Sequence, residues 1–288
     1  MQRRTFVRGL GAALALSPTL RLSAQRLGSG RVESARVERI GIQLYSLRDA
    51  ARVDLERTLG DIAALGFREV ELLDSMQNFG MPAARLRPLL DRLHLRAPST
   101  HITTAALNDI PRLVGESHVL GHAYVVVASL PLDRQQATLD DYRHWADRLN
   151  TAGEALRRAG LWLAFHDEPE NFALIDGQVP YDVLVARTDP AHVRLQFDTG
   201  NAAMGGRDPL AYMERFADRY WLFHLKDVAR LGAAHDAELG TGITDFRRLL
   251  ARAGSLADKH LYIEQESYPG VPIDSVRRDY AYLKALTY

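Results

Sequence analysis

Ionisable side chains close four successive apolar runs of this chain, and their types suit metal and proton chemistry. "AFHDEPE" carries His166, Asp167 and Glu168; "QFDTGN" carries Asp198 and Asn201; "YWLFHLKD" carries His224, Lys226 and Asp227; "YIEQE" carries Glu264 and Glu266. Two earlier runs end in a similar way, with Gln43 and Tyr45 in "GIQLY" and His101 in "PSTHI". A single His or carboxylate at the end of a strand is usually a cap or an ion-pair partner. Four runs in succession, each contributing one, describe a site. Imidazole and carboxylate donors without thiolates suit a divalent ion such as Mn²⁺, Zn²⁺, Co²⁺ or Mg²⁺. Cysteine is absent, which excludes disulfides, thiol catalysis and Cys-ligated zinc. Because strand side chains alternate faces, His166 shares a face with Glu168, and Glu264 shares one with Glu266.

These residues need elements that bring the run ends together. From Ile40 onward, short apolar runs read as strands: Ile40 to Tyr45, Glu69 to Leu73, Leu95 to Ile102, Ala123 to Ala128, Leu161 to Phe165, Val193 to Phe197, Trp221 to Leu225 and Leu261 to Ile263. Amphipathic stretches such as "LERTLGDIAALG" separate them, and several stop at a glycine, as at Gly66 and Gly160. Eight strand-helix units predict a single (β/α)₈ barrel over residues 38–288, in which the C-terminal strand ends share one mouth. A doubly wound open sheet would place a Gly-rich phosphate turn after its first strand; here that place reads "YSLRD". No Pro-, Gly- or Ser-rich linker divides the 288 residues. Lys plus Arg and Asp plus Glu both count 36, so no basic field is available for nucleic acid.

"GIQLYSLRD", "AFHDEPENF", "FDTGN", "GGRDP", "HLKD", "ELGTGITDF" and "YIEQE" together resemble the sugar phosphate isomerase/epimerase superfamily, from about Ile40 to the C-terminus. The resemblance implies a xylose-isomerase-like barrel and one divalent metal held by residues at the ends of the last four strands. It places Asp198, His224 and Glu264 on ligand positions. At the remaining position, where the epimerases have a glutamate, this chain has His166. Either His166 ligates directly, or Glu168 restores the carboxylate from two residues further along. The resemblance further implies a sugar substrate, with Glu168, Glu264, His166 and Lys226 as catalytic candidates and Gln43, His101, Asn201 and Glu266 as substrate-binding candidates. A cation on adjacent oxygens of a hydroxy-ketone favours an enediolate when a neighbouring proton leaves. Proton return then gives isomerisation or epimerisation, and loss of a β-substituent gives dehydration or lyase chemistry. Lys226 could stabilise the enediolate or pair with Asp227. "GTGITDF" is expected to lead into a helix capped near Thr244 or Asp245. Alternative readings are a non-catalytic carbohydrate-binding barrel and an abasic-site endonuclease-like metal hydrolase. Self-association into a homo-oligomer is left open.

The first thirty residues read as a leader. Arg3 and Arg4 precede an apolar run from Leu10 to Leu16, then small residues and a proline. That order resembles a twin-arginine signal, with cleavage near Ala24, and predicts export of the folded protein to a bacterial periplasm. The apolar run is shorter than the ~20 residues of a membrane span.

Overall fold

The computed structural model describes residues 35–288; the leader expected over residues 1–30 lies outside them. The strands are β1 (Gly41–Gln43), β2 (Glu69–Leu73), β3 (Ser99–Ile102), β4 (Tyr124–Val127), β5 (Trp162–His166), β6 (Val193–Asp198), β7 (Tyr220–Leu225), β8 (Asp227–Val228), β9 (Asp236–Ala237) and β10 (His260–Ile263). Seven of them, β1 to β7, close with β10 into an eight-stranded barrel in the order β1-β10-β7-β6-β5-β4-β3-β2. Every barrel pairing is parallel. Such pairing requires a crossover between neighbouring strands, and the amphipathic helices supply it.

Each helix starts and stops on local chemistry. Asp54 accepts the Arg57 N–H at the head of the helix Leu55–Leu65, which ends at Gly66 with φ +108°, a conformation that would strain a side chain. Thr138 and Asp141 form a capping box ahead of the helix Leu139–Arg158, whose Tyr142, Trp145, Leu149 and Leu156 face the core.

Strand bodies are apolar on the face toward the helices, where Val70, Leu72, Val125, Val127, Phe165, Phe197, Phe223 and Ile263 are buried. The alternate residues fill the barrel. Tyr124, Val126, Ala164, Leu222 and Tyr262 form an inner cluster separate from the outer core, and polar residues lie above it. At the C-terminal end of the barrel, strand alternation therefore leaves a polar floor on an apolar plug.

Two expected boundaries shift by more than one residue. The run Leu95 to Ile102 becomes a strand only at Ser99, since Pro98 has no N–H for the ladder. The run Ile40 to Tyr45 leaves the sheet after Gln43, whose side chain accepts the Tyr45 N–H and starts a 3₁₀ turn over Leu44–Leu47. The hairpin of β8 and β9 does not appear in the apolar pattern because each of its strands is two residues long. "GTGITDF" does lead into a helix, Phe246–Arg252, with Asp245 as its cap.

Candidate active site

His166 and Asp198 are the last residues of β5 and β6. His224 is the penultimate residue of β7, and Glu264 follows β10 directly. Register aligns Asp198 with His224 across β6 and β7. One donor atom from each of the four lies within 4.8 Å of the others, and all four residues are buried.

Local hydrogen bonds aim each donor. Asp198 divides its carboxylate: Oδ1 accepts the Asn201 N–H at 2.8 Å and caps the helix Thr199–Met204, which leaves Oδ2 for the site. Its backbone N–H is held by Asp167 Oδ1 at 3.0 Å. The Nδ1–H of His166 donates to the Ala128 carbonyl at 3.0 Å, so its Nε2 is the free nitrogen. His224 lies between carboxylates, with Nδ1 2.9 Å from Glu264 Oε2 and Nε2 2.6 Å from Glu71 Oε2.

Within this four-residue set, two buried atoms are left without ordinary partners. His166 Nε2 has no hydrogen bond, and Asp198 Oδ2 is approached by charge alone: Lys226 Nζ at 3.0 Å, His166 Nε2 at 3.6 Å and His224 Nδ1 at 3.7 Å. A fully buried imidazole nitrogen is normally satisfied. Its placement beside two carboxylate oxygens and a second imidazole is a donor set that fits one divalent cation. Glu168 stands outside this set, with Oε1 3.9 Å from His166 Nδ1 and the side chain about one-third exposed at the mouth.

Charges in the cluster sustain one another. Burial works against the Glu264 carboxylate, but His224 and Lys226 outweigh it and hold its pKa down to about 2. Burial likewise opposes the charges on Asp198, His224 and Lys226. The Lys226 ammonium keeps Asp198 well below the carboxylate range, while Glu264 holds His224 up and Asp198 holds Lys226 up. Lys226 Nζ also lies 3.0 Å from Glu264, 2.8 Å from Glu266 and 3.2 Å from Asn201 Oδ1. Its stem lies against Gly200, where an added methyl group would overlap it. Asp227 does not pair with this lysine. Its carboxylate accepts the Gly240, Gly242 and Thr244 N–H groups and so shapes the loop over β7.

Glu168 behaves differently. Burial raises its pKa to about 7 against the pull of His166 and Lys226, so the carboxyl is poised to exchange a proton near neutral pH. Burial pushes His101 the other way, down to about 4, and the ring is neutral. Both line a cavity of about 480 Å³ with His166, Glu264 and Glu266, bounded by Tyr45, Met76, Ser129 and Pro131. Asn201 is buried and committed to Asp167, Glu168 and Lys226. Gln43 is fully buried, and its amide is used on Glu71 and on the Tyr45 N–H. Two side chains not singled out in the sequence, Glu71 and Gln196, complete the floor. Their signal is faint: Glu69 and Glu71 alternate through an otherwise apolar "EVELL", and Gln196 precedes Asp198 by two residues.

The sequence model of the family described as "Xylose isomerase-like TIM barrel" matches residues 52–286, most of the chain. The chain belongs to this family. Among its relatives, an inosose dehydratase of Lacticaseibacillus casei is 26% identical over 197 residues, which cover 61% of this chain and 64% of that protein. A sugar phosphate isomerase/epimerase from Parabacteroides distasonis superposes with a TM-score of 0.72 at 22% identity, covering 88% of this chain and 98% of that one. A xylose isomerase-like TIM barrel protein from Mycobacterium smegmatis, solved in complex with magnesium, gives a TM-score of 0.61 at 16% identity over 85% of this chain and 95% of that one. At these identities the two structures establish the xylose isomerase-like fold and nothing finer. Among the described residues no helix is long and apolar enough to cross a membrane.

Proposed function

We propose that this protein is a divalent-metal-dependent enzyme acting on a keto-sugar, a keto-glycoside or an inosose. It moves a proton beside the carbonyl, with isomerisation, epimerisation or loss of a β-substituent as the outcome. The observation that carries this reading is the buried set His166, Asp198, His224 and Glu264 beneath a cavity whose wall includes a carboxyl poised near neutral pH. Mn²⁺, Zn²⁺, Co²⁺ or Mg²⁺ bound by those four residues would supply Lewis-acid polarisation of a substrate carbonyl. A relative named inosose dehydratase and a structural neighbour named sugar phosphate isomerase/epimerase support sugar chemistry of this class.

The chain's own residues divide the remaining work. Lys226 holds positive charge against Asp198, Glu264 and Glu266, where a developing oxyanion on the substrate would gain from it. Glu168 at the mouth exchanges a proton with a leaving hydroxyl or glycosidic oxygen. His101, neutral and on the cavity wall, and Glu266 at the rim meet the sugar hydroxyls. The test is to measure bound metal in the purified protein and then follow deuterium entry from D₂O into 3-keto-glycosides, ketoses and inososes by NMR. Exchange or conversion that disappears with a chelator is expected. A protein without metal that binds sugars and exchanges no proton would instead be a carbohydrate-binding barrel.

A further inference from the structure

Glu71 lies in the middle of β2, fully buried, and its carboxylate collects hydrogen-bond donors from three strands. Oε2 receives Gln43 Nε2 at 2.8 Å, His224 Nε2 at 2.6 Å and Gln196 Nε2 at 2.9 Å; Oε1 receives Gln196 Nε2 at 3.0 Å. An ionised carboxylate can only accept, so the polarity of each partner is forced. Gln43 and Gln196 must turn their NH₂ groups toward it, and His224 must carry a proton on Nε2.

Two consequences follow along the network. With its Nε2–H engaged by Glu71, His224 turns Nδ1 toward Glu264 and Asp198, 2.9 and 3.7 Å away, where it donates its own proton to the Glu264 carboxylate and becomes a ligand nitrogen only when a cation replaces that proton. Gln196, with its NH₂ committed to Glu71, can present only its carbonyl oxygen to His101 Nε2, 2.7 Å away. A carbonyl also only accepts, so the His101 proton is on Nε2 as well, and its Nδ1 is bare. The His101 ring is 4.9 Å from that of His166 and 5.2 Å from that of His224, on the cavity wall.

We propose that Glu71 is a positioning residue that sets two imidazoles at once, His224 by a direct hydrogen bond and His101 through Gln196, with Glu71 Oε2 itself 3.4 Å from His101 Nε2. On both rings the proton on Nε2 is fixed, so the Nδ1 of His224 is the nitrogen that would lose its proton to a metal, and the Nδ1 of His101 is left to accept one. A carboxylate behind a ligating histidine raises its basicity and fixes its ring. Here the same carboxylate extends through an amide to His101, which lies outside the set His166, Asp198, His224 and Glu264. The metal half of this assignment rests on the proposed function; the His101 half does not.

The test uses full-length protein labelled with ¹⁵N in histidine and read by long-range ¹H–¹⁵N correlation, with Zn²⁺ as the probe metal. In the wild type with Zn²⁺, both His101 and His224 should show a protonated Nε2 and an unprotonated Nδ1. Glu71→Gln replaces an acceptor by a group that must also donate, so the two rings should lose their fixed proton positions. Zn²⁺ affinity should fall about 10- to 100-fold, the usual effect of losing such a carboxylate. Gln196→Leu should release His101 alone while His224 and Zn²⁺ affinity stay as in the wild type. A wild-type His101 protonated on Nδ1 would overturn the relay without any variant having to fold or turn over substrate. Unchanged ring signals and unchanged Zn²⁺ affinity in Glu71→Gln would overturn the role of Glu71. Both readings are independent of whether any sugar is converted.

Discussion

The four buried donors are unequal in what surrounds them, and that difference can be tested residue by residue. Asp198 and His224 are each held from two sides, Asp198 by its helix-capping bond and the Asp167 contact, His224 by two carboxylates. Asp198→Ala and His224→Ala should each lose most bound metal and most activity, measured by elemental analysis and NMR turnover; full occupancy in both would make these residues structural. His166 and Glu168 separate two roles on one strand. His166 contributes an unpartnered nitrogen to the cluster, whereas Glu168 stands outside it with a pKa near 7. His166→Ala is therefore expected to lose metal and turnover together, and Glu168→Gln to keep the metal while turnover falls by about two orders of magnitude or more, as for a lost general acid or base. Unchanged turnover in Glu168→Gln would leave His166 and Glu264 as the proton-handling pair.

At the scale of elements, the turn that joins the helix Ile110–Leu120 to β4 contains a buried histidine with a stability consequence. His122 donates through Nδ1 to the Ala97 carbonyl at 2.6 Å, and burial pushes its pKa down to about 4. The unfolded chain would titrate near the ordinary value of about 6.5. Between those pH values the unfolded state binds more protons, so this residue removes stability as pH falls from about 6.5 to 4 and has no effect above that range. In urea titrations, His122→Gln should reduce the loss of unfolding free energy between pH 6.5 and 4.5 by about 2 to 3 kcal/mol. An identical pH dependence in the variant would mean that the imidazole is solvated or leaves its pocket on protonation. His101 changes stability with the same sign, so the dependence should shrink without vanishing.

For the whole molecule, the leader and the barrel call for different kinds of test. We propose export by the twin-arginine route from the Arg3–Arg4 pair and the apolar run that follows. Changing both arginines to lysine should retain the protein in the cytoplasm with fold and activity intact, as judged by cell fractionation; normal periplasmic delivery would sink the proposal. The barrel itself was legible in the chain, because strand bodies buried against helices must be apolar while their C-terminal ends open on a shared mouth. Each of the eight barrel strands coincides with a run visible in the sequence, and the residues closing the last four are those that meet at the site. Local chemistry also fixed the helix ends at Gly66 and Asp245. Distances across the barrel were not legible. Glu71 is 153 residues from His224 and 125 from Gln196, and nothing in "EVELL" distinguishes Glu71 from Glu69, equally buried, which pairs with Arg96 and His260 instead. Asp227 and Lys226 are adjacent in sequence, yet they face a loop and a cluster respectively, because consecutive residues at the end of a strand point to opposite sides. Spacing along the chain therefore determined which side chains reach the mouth, since that depends on alternation and burial within each strand. Barrel closure alone decided which of them touch, because the contacts join strands that only the full circuit of eight brings face to face.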